Sequence, residues 1–346
     1  MKRPVFNTAR LRRGQRGVSL IELMISMTIG LIIMIAVITA YVGASGASRT
    51  AEAIGRMNED GQAALLILTQ QLRMAGVNPS QPDRYSVTLG ISARGNTVPL
   101  HNSVTNAFAV RGCDTRFSDV TSAASTAALT CGHGAASVGP DSISIAYEAD
   151  RYNTVATGGG VPTDCMGSGI TPVTLAPGYL SSAGVAAAST LIYEAENRFY
   201  VGTSAFVVNP TLYCKGNGST AQPLVENIEN LQFSYGTVNP NTTTSPIYVT
   251  VTPTFTTTLV LGYMSAYELE NFNTGAPAPQ FGAVGATSRR WNAVKAVRIC
   301  VVARSEQPLA DSIDSARYLD CNGTLTVPPD RRLRRAYTTT VVLRNQ

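Results

Sequence analysis

The 346-residue chain is 44% hydrophobic and carries 27 basic and 22 acidic side chains, a net charge of +5, so it is long enough for one or two domains with a buried core. Six of the cations lie before residue 18, and without them 21 basic residues face 22 acidic ones. The basicity therefore belongs to one short segment and does not indicate a nucleic-acid-binding protein.

The first 17 residues form a basic leader that contains no acidic residue. A positively charged flank of this kind stays on the cytoplasmic side of a membrane. No charged residue occurs from Leu23 to Ser48, and 23–42 supplies about the 20 apolar residues that a helix needs to cross a bilayer core. The pattern predicts a leader over 1–17 and a helix over 18–76 whose first part, 18–42, spans the membrane.

A candidate processing point lies before the apolar run, in the segment Arg16-Gly17-Val18-Ser19-Leu20-Ile21-Glu22-Leu23-Met24, whereas a secretory signal is cut after a shorter apolar run. This segment resembles the processing signature of type IV pilins and pseudopilins. The resemblance implies that a prepilin peptidase cuts between Gly17 and Val18 on the cytoplasmic face and methylates the new amino terminus. It also implies that Glu22 is the carboxylate used in assembly. In that family Phe or Met is commoner than Val at the new first position.

Glu22 is the one charged residue between Gly17 and Ser48. A charge at mid-bilayer costs roughly 2.5–3.5 kcal/mol, and less near an interface, so such a residue usually has a partner. Glu22 can pair with the new amine of a neighbouring subunit, which would set the axial stagger of a filament, or with its own amine. The alternative is a carboxylate that reaches the lipid headgroups near the cytoplasmic interface.

Beyond Val42 the apolar residues become one-sided, which predicts that the helix continues as an amphipathic one. The apolar positions recur at spacings of three and four: Ile54, Met57, Gly61, Leu65, Leu68, Leu72 and Ala75. Gly76 and the Asn78-Pro79 pair favour an end of the helix there. The apolar stripe should pack on a soluble domain over 77–346.

All six cysteines follow the predicted membrane segment, on the side expected to face away from the cytoplasm. An even number of cysteines in an oxidising compartment indicates disulfides, and six allow 15 pairings. We favour the sequential pairing Cys113–Cys131, Cys165–Cys214 and Cys300–Cys321, because each bridge would close a loop between predicted elements. Zinc is not favoured, since the sequence has no CxxC pair.

Alternation of polar and apolar residues predicts three clear strands: a half-buried one at 142–148, one at 294–304 and a final one at 337–344. Residues 190–194 and 198–201 flank Ala195-Glu196-Asn197 and suggest a hairpin. Strands are also predicted at 206–208 and 211–213. Weak strand signals occur at 86–91 and 107–111, and 225–236 is typical of a turn followed by a strand.

Small residues dominate 120–138 and 154–188, which we interpret as surface loops held by cystines, while the threonine-rich stretch 237–258 suggests an exposed hairpin or an ordered loop. These elements predict an α+β fold in which a long N-terminal helix, half membrane-spanning and half amphipathic, packs on a C-terminal antiparallel sheet domain with long disulfide-tied loops.

Four further blocks sharpen the resemblance: VENIENLQFSYG from Val225, AVKAVRICVVARS from Ala293, the pair Asp320-Cys321, and RRLRRAYTTTVVLRN from Arg331. Together with the processing segment they are similar to minor pilins of the PilW family. The resemblance implies a subunit that primes pilus assembly at or near the tip and serves twitching motility and surface attachment.

The same resemblance implies the partners and the location. The partners would be the prepilin peptidase, other minor pilins, the major pilin, an inner-membrane assembly platform and the membrane itself. The chain would start as a single-pass protein of the bacterial inner membrane with its head in the periplasm, and then enter the fibre. The alternatives are a minor pseudopilin of type II secretion and, in another class, a membrane-tethered binding or adhesion domain.

The sequence contains no set of residues that predicts catalysis, a cofactor or a metal. His101 and His133 are its two histidines, and the common hydrolase, phosphate-binding and calcium-binding motifs do not occur. A cluster of arginines near the end could form a positive patch for the acidic face of a partner subunit, or simply a solvated strand edge: Arg289, Arg290, Arg331, Arg332, Arg334 and Arg335.

Overall fold

The computed structural model describes residues 17–77, 85–86, 91–92, 109–118, 120–121, 129–132, 139–175, 190–203, 209–218, 220–237, 262–271, 291 and 293–344. Contacts divide the chain into two units, Met1–Glu52 and Ala53–Gln346. The helix α1 (Leu20–Met74) begins in the first unit and ends in the second. The predicted helix bounds were 18–76.

Helix α1 ends where a glycine allows the chain to turn. Gly76 has a φ of 70°, a left-handed conformation that suits glycine at a helix C-terminus. The backbone N–H of Gly76 donates to Ala146 O at 2.9 Å, and Glu148 N donates to Val77 O at 2.9 Å. The end of the helix is therefore fixed directly to a strand of the head.

The second unit contains two main antiparallel sheets. The six-stranded sheet has the order β3-β4-β6-β7-β8, with β5 paired to β6, and the four-stranded sheet has the order β10-β9-β11-β14. Their strands are β3 (Val110–Cys113), β4 (Ser142–Ala149), β5 (Val173–Leu175), β6 (Thr190–Gly202), β7 (Thr211–Lys215), β8 (Gln222–Glu226), β9 (Ile228–Thr237), β10 (Gly262–Met264), β11 (Val294–Pro308) and β14 (Arg332–Val342).

The remaining elements are short. They are the paired strands β1 (Tyr85–Ser86) and β2 (Ile91–Ser92), the helix α2 (Ala266–Asn271), a 3-10 turn (Asp314–Ala316), and the paired strands β12 (Tyr318–Leu319) and β13 (Leu325–Thr326).

The second half of α1 packs on both sheets. Tyr337 of β14 lies against Gly61, and its hydroxyl donates to Asn58 Oδ1 at 2.6 Å. Nearly three turns after Gly61, Asn197 of β6 donates to Gln71 Oε1 at 2.8 Å. Buried residues of α1 and of both sheets form one hydrophobic core. The predicted α+β class and the packing of the helix on antiparallel sheets are thus confirmed.

Gly61 permits the close approach of α1 to β14, and this gives a test of the packing. A Cβ at position 61 would lie 2.5 Å from two carbons of the Tyr337 ring, whereas a Cβ at Gly55 has no atom within 4 Å. Alanine gains roughly 1 kcal/mol over glycine inside a helix. We therefore expect Gly55→Ala to stabilise the protein slightly, and Gly61→Ala to destabilise it by about 1–3 kcal/mol because the ring must move.

Denaturant unfolding of the full-length protein in detergent would compare the two alanine variants. Equal effects of the same sign would contradict the contact between Gly61 and Tyr337.

The predicted hairpin at 190–201 is wrong, because β6 runs without a break from Thr190 to Gly202. The polar residues taken for a turn are buried and have partners in the fold. Arg198 Nε donates to Glu196 Oε1 at 2.7 Å, and Asn197 Oδ1 accepts from Cys165 N at 3.1 Å. The polar side chains of this segment form hydrogen bonds inside the protein and do not lie in a solvent-exposed turn.

Other strand predictions are corrected in detail. The strand at 142–148 was expected to be half-buried, but every residue of β4 is buried; Ser142, for example, accepts from Phe117 N at 3.0 Å. The single strand expected at 86–91 is wrong, since Tyr85–Ser86 pairs antiparallel with Ile91–Ser92. Strand β14 begins five residues before the predicted start at 337.

Several predictions fall partly or wholly outside the described residues. The strand at 206–208 lies outside them, as does the threonine-rich stretch beyond Thr237.

Residues 225–236 divide into β8 and β9 at Asn227, whose φ is 61°.

Three disulfides join the elements of the head: Cys113–Cys131, Cys165–Cys214 and Cys300–Cys321. No cysteine is free. The second bridge links the loop that follows β4 with strand β7. The third links the segment between β11 and β14 with strand β11. These are the same three pairs as in the sequential pairing.

Candidate functional site

The predicted processing point lies immediately before the first turn of α1. Gly17, Val18 and Ser19 are outside regular secondary structure, and Val18 is 67% exposed. Among the described residues, no atom beyond the two chain neighbours lies within 4 Å of the place where a Cβ of Gly17 would be. An exposed, non-helical peptide bond is what a peptidase requires, so the Gly17–Val18 bond has the geometry of a cleavage site.

Ser19 begins the helix by satisfying its first free N–H groups. Its carbonyl oxygen accepts from the N–H of Glu22 and of Leu23, each at 3.1 Å, and its Oγ accepts from Glu22 N at 3.2 Å. A serine that caps a helix in this way stabilises it by about 1 kcal/mol. The spacing Ser19-x-x-Glu22 is that of a capping box, a signal that was present in the sequence but was not used in predicting the start of the helix.

Glu22 lies in the first turn of α1 with its side chain exposed. A carboxylate there is favoured by the partial positive charge of the helix N-terminus. Among the described residues its carboxylate has no ion-pair partner and no side-chain hydrogen bond. The position of Glu22 is therefore compatible with pairing to an amine outside its own folded chain, and its role in assembly stays a prediction.

The apolar part of α1 is exposed along its whole length in the isolated chain. Every residue from Gly17 to Ala44 is exposed. Hydroxyl groups in the segment bond to carbonyls of the preceding turn: Ser26 to Glu22 O at 2.8 Å, Thr28 to Ile25 O at 2.8 Å and Thr39 to Ala36 O at 2.9 Å. Such bonding lets hydroxyls enter an apolar environment without an unsatisfied donor.

Among the described residues α1 is the one helix that is long and apolar enough to cross a membrane. Exposed apolar surface of this extent is unstable in water, so it requires lipid or other apolar helices. By length and composition the segment fits a membrane anchor.

The arginine patch predicted near the C-terminus is wrong for Arg334. The side chain of Arg334 is 1% exposed, and its Nε and Nη2 donate to the two carboxylate oxygens of Glu229 at 2.7 and 3.2 Å. Its Nη1 donates to Asp330 Oδ1 at 2.7 Å. Arg335 is exposed on the opposite face of β14, over the ring of Tyr337, and 289–290 lie outside the described residues.

A cavity of about 610 Å³ lies between β9, β11 and the start of α2. Its acidic residues have structural partners. Asp114 accepts from the first N–H groups of α2, Ala266 N at 2.7 Å and Tyr267 N at 2.9 Å, and Glu268 accepts from Ser265 N at 2.9 Å. Asp141 accepts from Phe233 N at 2.7 Å and so joins the start of β4 to β9.

Burial raises the pKa of Asp141 to about 8, although the hydrogen bond from Phe233 lowers it, and nearby Asp114 adds to the rise. Between about pH 4 and pH 8 the folded protein therefore holds a proton that the unfolded chain has released. Stability must fall as the pH rises through this window. We expect Asp141→Asn to remove this dependence and to stabilise the protein above pH 8 by several kcal/mol, on the order of 3–5.

Unfolding of the full-length protein at pH 5 and pH 8 would measure the effect of Asp141→Asn, with the exposed Asp311→Asn as the control that should change nothing. An asparagine variant that is as pH-dependent as the wild type would contradict the assignment to Asp141.

The described residues do not bring together a cluster of three or more metal-binding side chains. Both histidines lie outside the described residues.

Two family comparisons match complementary parts of the chain. The family described as Type IV Pilus-assembly protein W (PilW) matches residues 198–345, which begin within β6 and include β14. The prokaryotic N-terminal methylation motif matches residues 12–38, which contain Gly17, Val18 and Glu22. No curated protein and no solved structure matches the chain.

Proposed function

Because the chain is a PilW-like type IV pilin, we propose that it is a minor pilin that starts the assembly of type IV pili and lies at or near the tip of the fibre. The observation that carries this proposal is a prepilin processing segment followed by an exposed apolar helix with one carboxylate, on the same chain as the PilW match.

The first step of this function is processing. The prepilin peptidase cuts the Gly17–Val18 bond on the cytoplasmic face and methylates the amine of Val18. The cut removes all six cations of the leader, so the new end of the helix carries one amine and, four residues on, the carboxylate of Glu22. The mature helix can then leave the lipid without a basic segment attached.

The second step is transfer of the helix from lipid to a bundle of similar helices. A helix satisfies its own backbone hydrogen bonds, so its apolar half is stable both in a bilayer and among other apolar helices. Pairing of the Glu22 carboxylate with the amine of a neighbouring subunit would be strong in this low-dielectric setting and would set the axial stagger. Contacts of this head-to-tail type do not close, and they generate a helical filament.

The size of the head favours a minor subunit. The predicted domain at 77–346 has about 270 residues, with long loops tied by disulfides. A head of this size would crowd a long fibre but fits at its end. The proposal includes the other minor pilins, the major pilin and the assembly platform of the inner membrane as partners, with the head in the periplasm before assembly and no enzymatic activity.

Replacing Glu22 tests the assembly step. We expect Glu22→Ala to leave membrane insertion intact and to abolish incorporation into sheared pili and twitching motility, because the subunit loses the charge that aligns it. Glu59→Ala is the matched control: Glu59 is an exposed carboxylate of the same helix, beyond the apolar half, and its loss should have no effect.

Two results would decide against the proposal. Absence of the wild-type protein from sheared pili, together with a Glu22→Ala variant that behaves as the wild type, would favour a membrane-tethered domain that does not polymerise. Normal pili in a strain that lacks the gene, together with a defect in protein secretion, would favour a secretion pseudopilin.

A further inference from the structure

Strand β14 forms an edge of the four-stranded sheet. It pairs with β11 on one side, and no strand in the described part of the chain pairs with its other side. An edge strand presents a row of unpaired N–H and C=O groups that can template another strand. Most proteins protect such edges with charges, prolines, bulges or short length.

The hydrogen bonds to β11 show which backbone groups of β14 point outward. Leu343 N donates to Lys295 O at 2.8 Å, so these two residues form a hydrogen-bonded pair. In an antiparallel ladder such pairs alternate with pairs whose N–H and C=O groups point away from the partner strand. The register is continuous from Ala296↔Val342 to Arg304↔Arg334. The outward-pointing groups are therefore those of Arg334, Ala336, Thr338, Thr340 and Val342.

This edge lacks the usual protection. Residues 336–343, Ala-Tyr-Thr-Thr-Thr-Val-Val-Leu, contain no charge, no proline and no glycine. The pairing with β11 has no bulge between Arg334 and Val342. The segment is rich in β-branched residues, which favour strands. Thr338 and Thr340 are exposed, and Val342 is 63% exposed.

A hairpin beside this edge adds exposed apolar side chains. Strand β12 lies against β14. Leu319 of β12 and Leu325 of β13 are cross-strand partners, and each is 59% exposed. The Cys300–Cys321 disulfide fixes the hairpin to β11. Exposed apolar side chains on a hairpin that contacts the edge strand are typical of a protein-binding surface rather than of a surface that only contacts water.

We propose that the open edge of β14 binds an extended segment of a different pilus subunit, which joins the four-stranded sheet as a further antiparallel or parallel strand. Only an extended backbone offers alternating donors and acceptors at the spacing of this edge. The proposal rests on the function proposed above and names one of the surfaces through which the subunit meets its neighbours.

A second copy of this chain is not the expected occupant. The other edge strands in the main order of the two large sheets, β10, β3 and β8, have three, four and five residues, against 11 in β14, and the remaining described strands at edges have two or three. Only β14 itself would match in length. Pairing of β14 with its own copy requires a two-fold axis, which closes a dimer and cannot continue along a head-to-tail filament.

A substitution at position 340 can block the edge while it keeps the hydrogen bonds between β14 and β11. The N–H of Thr340 points outward, so proline there removes no bond to β11 but prevents a partner strand from pairing. In a strain that lacks the native gene, we expect Thr340→Pro to reduce incorporation into pili by roughly tenfold or more, with unchanged thermal melting of the protein. Thr340→Ala, which keeps the N–H, should behave as the wild type.

A cysteine at the same position identifies the occupant. All native cysteines are in disulfides, so Thr340→Cys supplies one free thiol at the edge. Oxidative or bifunctional cross-linking in intact cells should join it to another pilus subunit. If Thr340→Pro lowers the melting temperature of the protein, this cross-link still tests whether the edge binds another subunit.

The outcomes distinguish a failure of the edge proposal from a failure of the proposed function. If the deletion strain loses pili but Thr340→Pro restores them as well as the wild type does, the edge proposal fails and the pilin function stands. A cross-link only to a second copy, or to no pilus subunit, also overturns the edge proposal. A deletion strain with normal pili overturns the proposed function instead.

Discussion

Replacing Gly17 by valine is expected to leave the leader on the chain and to abolish assembly completely. The peptide bond after Gly17 is exposed and non-helical, and the absence of a side chain at that position lets a peptidase approach the backbone closely. A branched side chain there blocks the approach. The uncut protein then lacks the amine of Val18 that Glu22 needs as a partner, and it keeps six cations that would have to enter an apolar bundle.

Mass spectrometry of the amino-terminal peptide measures this result directly. The wild type should begin at a methylated Val18, and Gly17→Val should begin in the leader and stay in the membrane fraction. Gly14→Val makes the same change three residues upstream and should be processed normally. A wild-type protein that begins at Met1, or after the apolar segment, would contradict the processing site for every variant.

The helix could be predicted from the sequence because its signals are local. A run of apolar residues and then a stripe at spacings of three and four are properties of neighbouring residues, and a glycine with a left-handed φ marks the end. The candidate site was predictable for the same reason, since Gly17, Val18 and Glu22 occur within one short motif. The cap formed by Ser19 was equally local, and its spacing to Glu22 would have predicted the first turn.

The errors lie where distant residues determine the environment. Ala195-Glu196-Asn197 has the polarity of a turn, and nothing near it in the sequence indicates that Gln71 and Cys165 are hydrogen-bonded to Asn197 inside the protein. Burial of both faces of β4 also depends on segments far along the chain. Periodicity indicates which residues share a face, but it does not indicate what covers that face.

The open edge of β14 was not predictable either. The sequence indicates a strand near the C-terminus, but its place in the sheet follows from the order β10-β9-β11-β14. Which N–H groups of β14 point outward follows from one backbone hydrogen bond, from Leu343 N to Lys295 O. A surface of this kind needs the register of the sheet as well as the sequence.

Reversing the charge of Arg334 is expected to unfold the head, whereas the same change at Arg335 should be tolerated. Arg334 is buried and holds two carboxylates, Glu229 of β9 and Asp330, so a glutamate there brings three acidic groups together with no cation between them. Hydrogen bonds from Arg334 hold the pKa of Asp330 below its usual value, which indicates that the acid is ionised at neutral pH. Breaking a buried ion pair by removing one partner costs about 3–5 kcal/mol, and reversal costs more.

Arg335 is the matched control, because it is adjacent in the strand but points to the opposite face, where it is exposed beside Asn58 and Tyr337. Arg335→Glu should change the free energy of unfolding by about 0.5 kcal/mol or less. Arg334→Met, which removes the charge but keeps the volume, should be intermediate, since it leaves the two acids partly solvated. Denaturant unfolding and the amount of disulfide-bonded protein in the cell measure all three variants. Equal tolerance of both reversals would mean that Arg334 contributes no more to the head than a surface cation, and the buried ion pair between β9 and β14 would have to be abandoned.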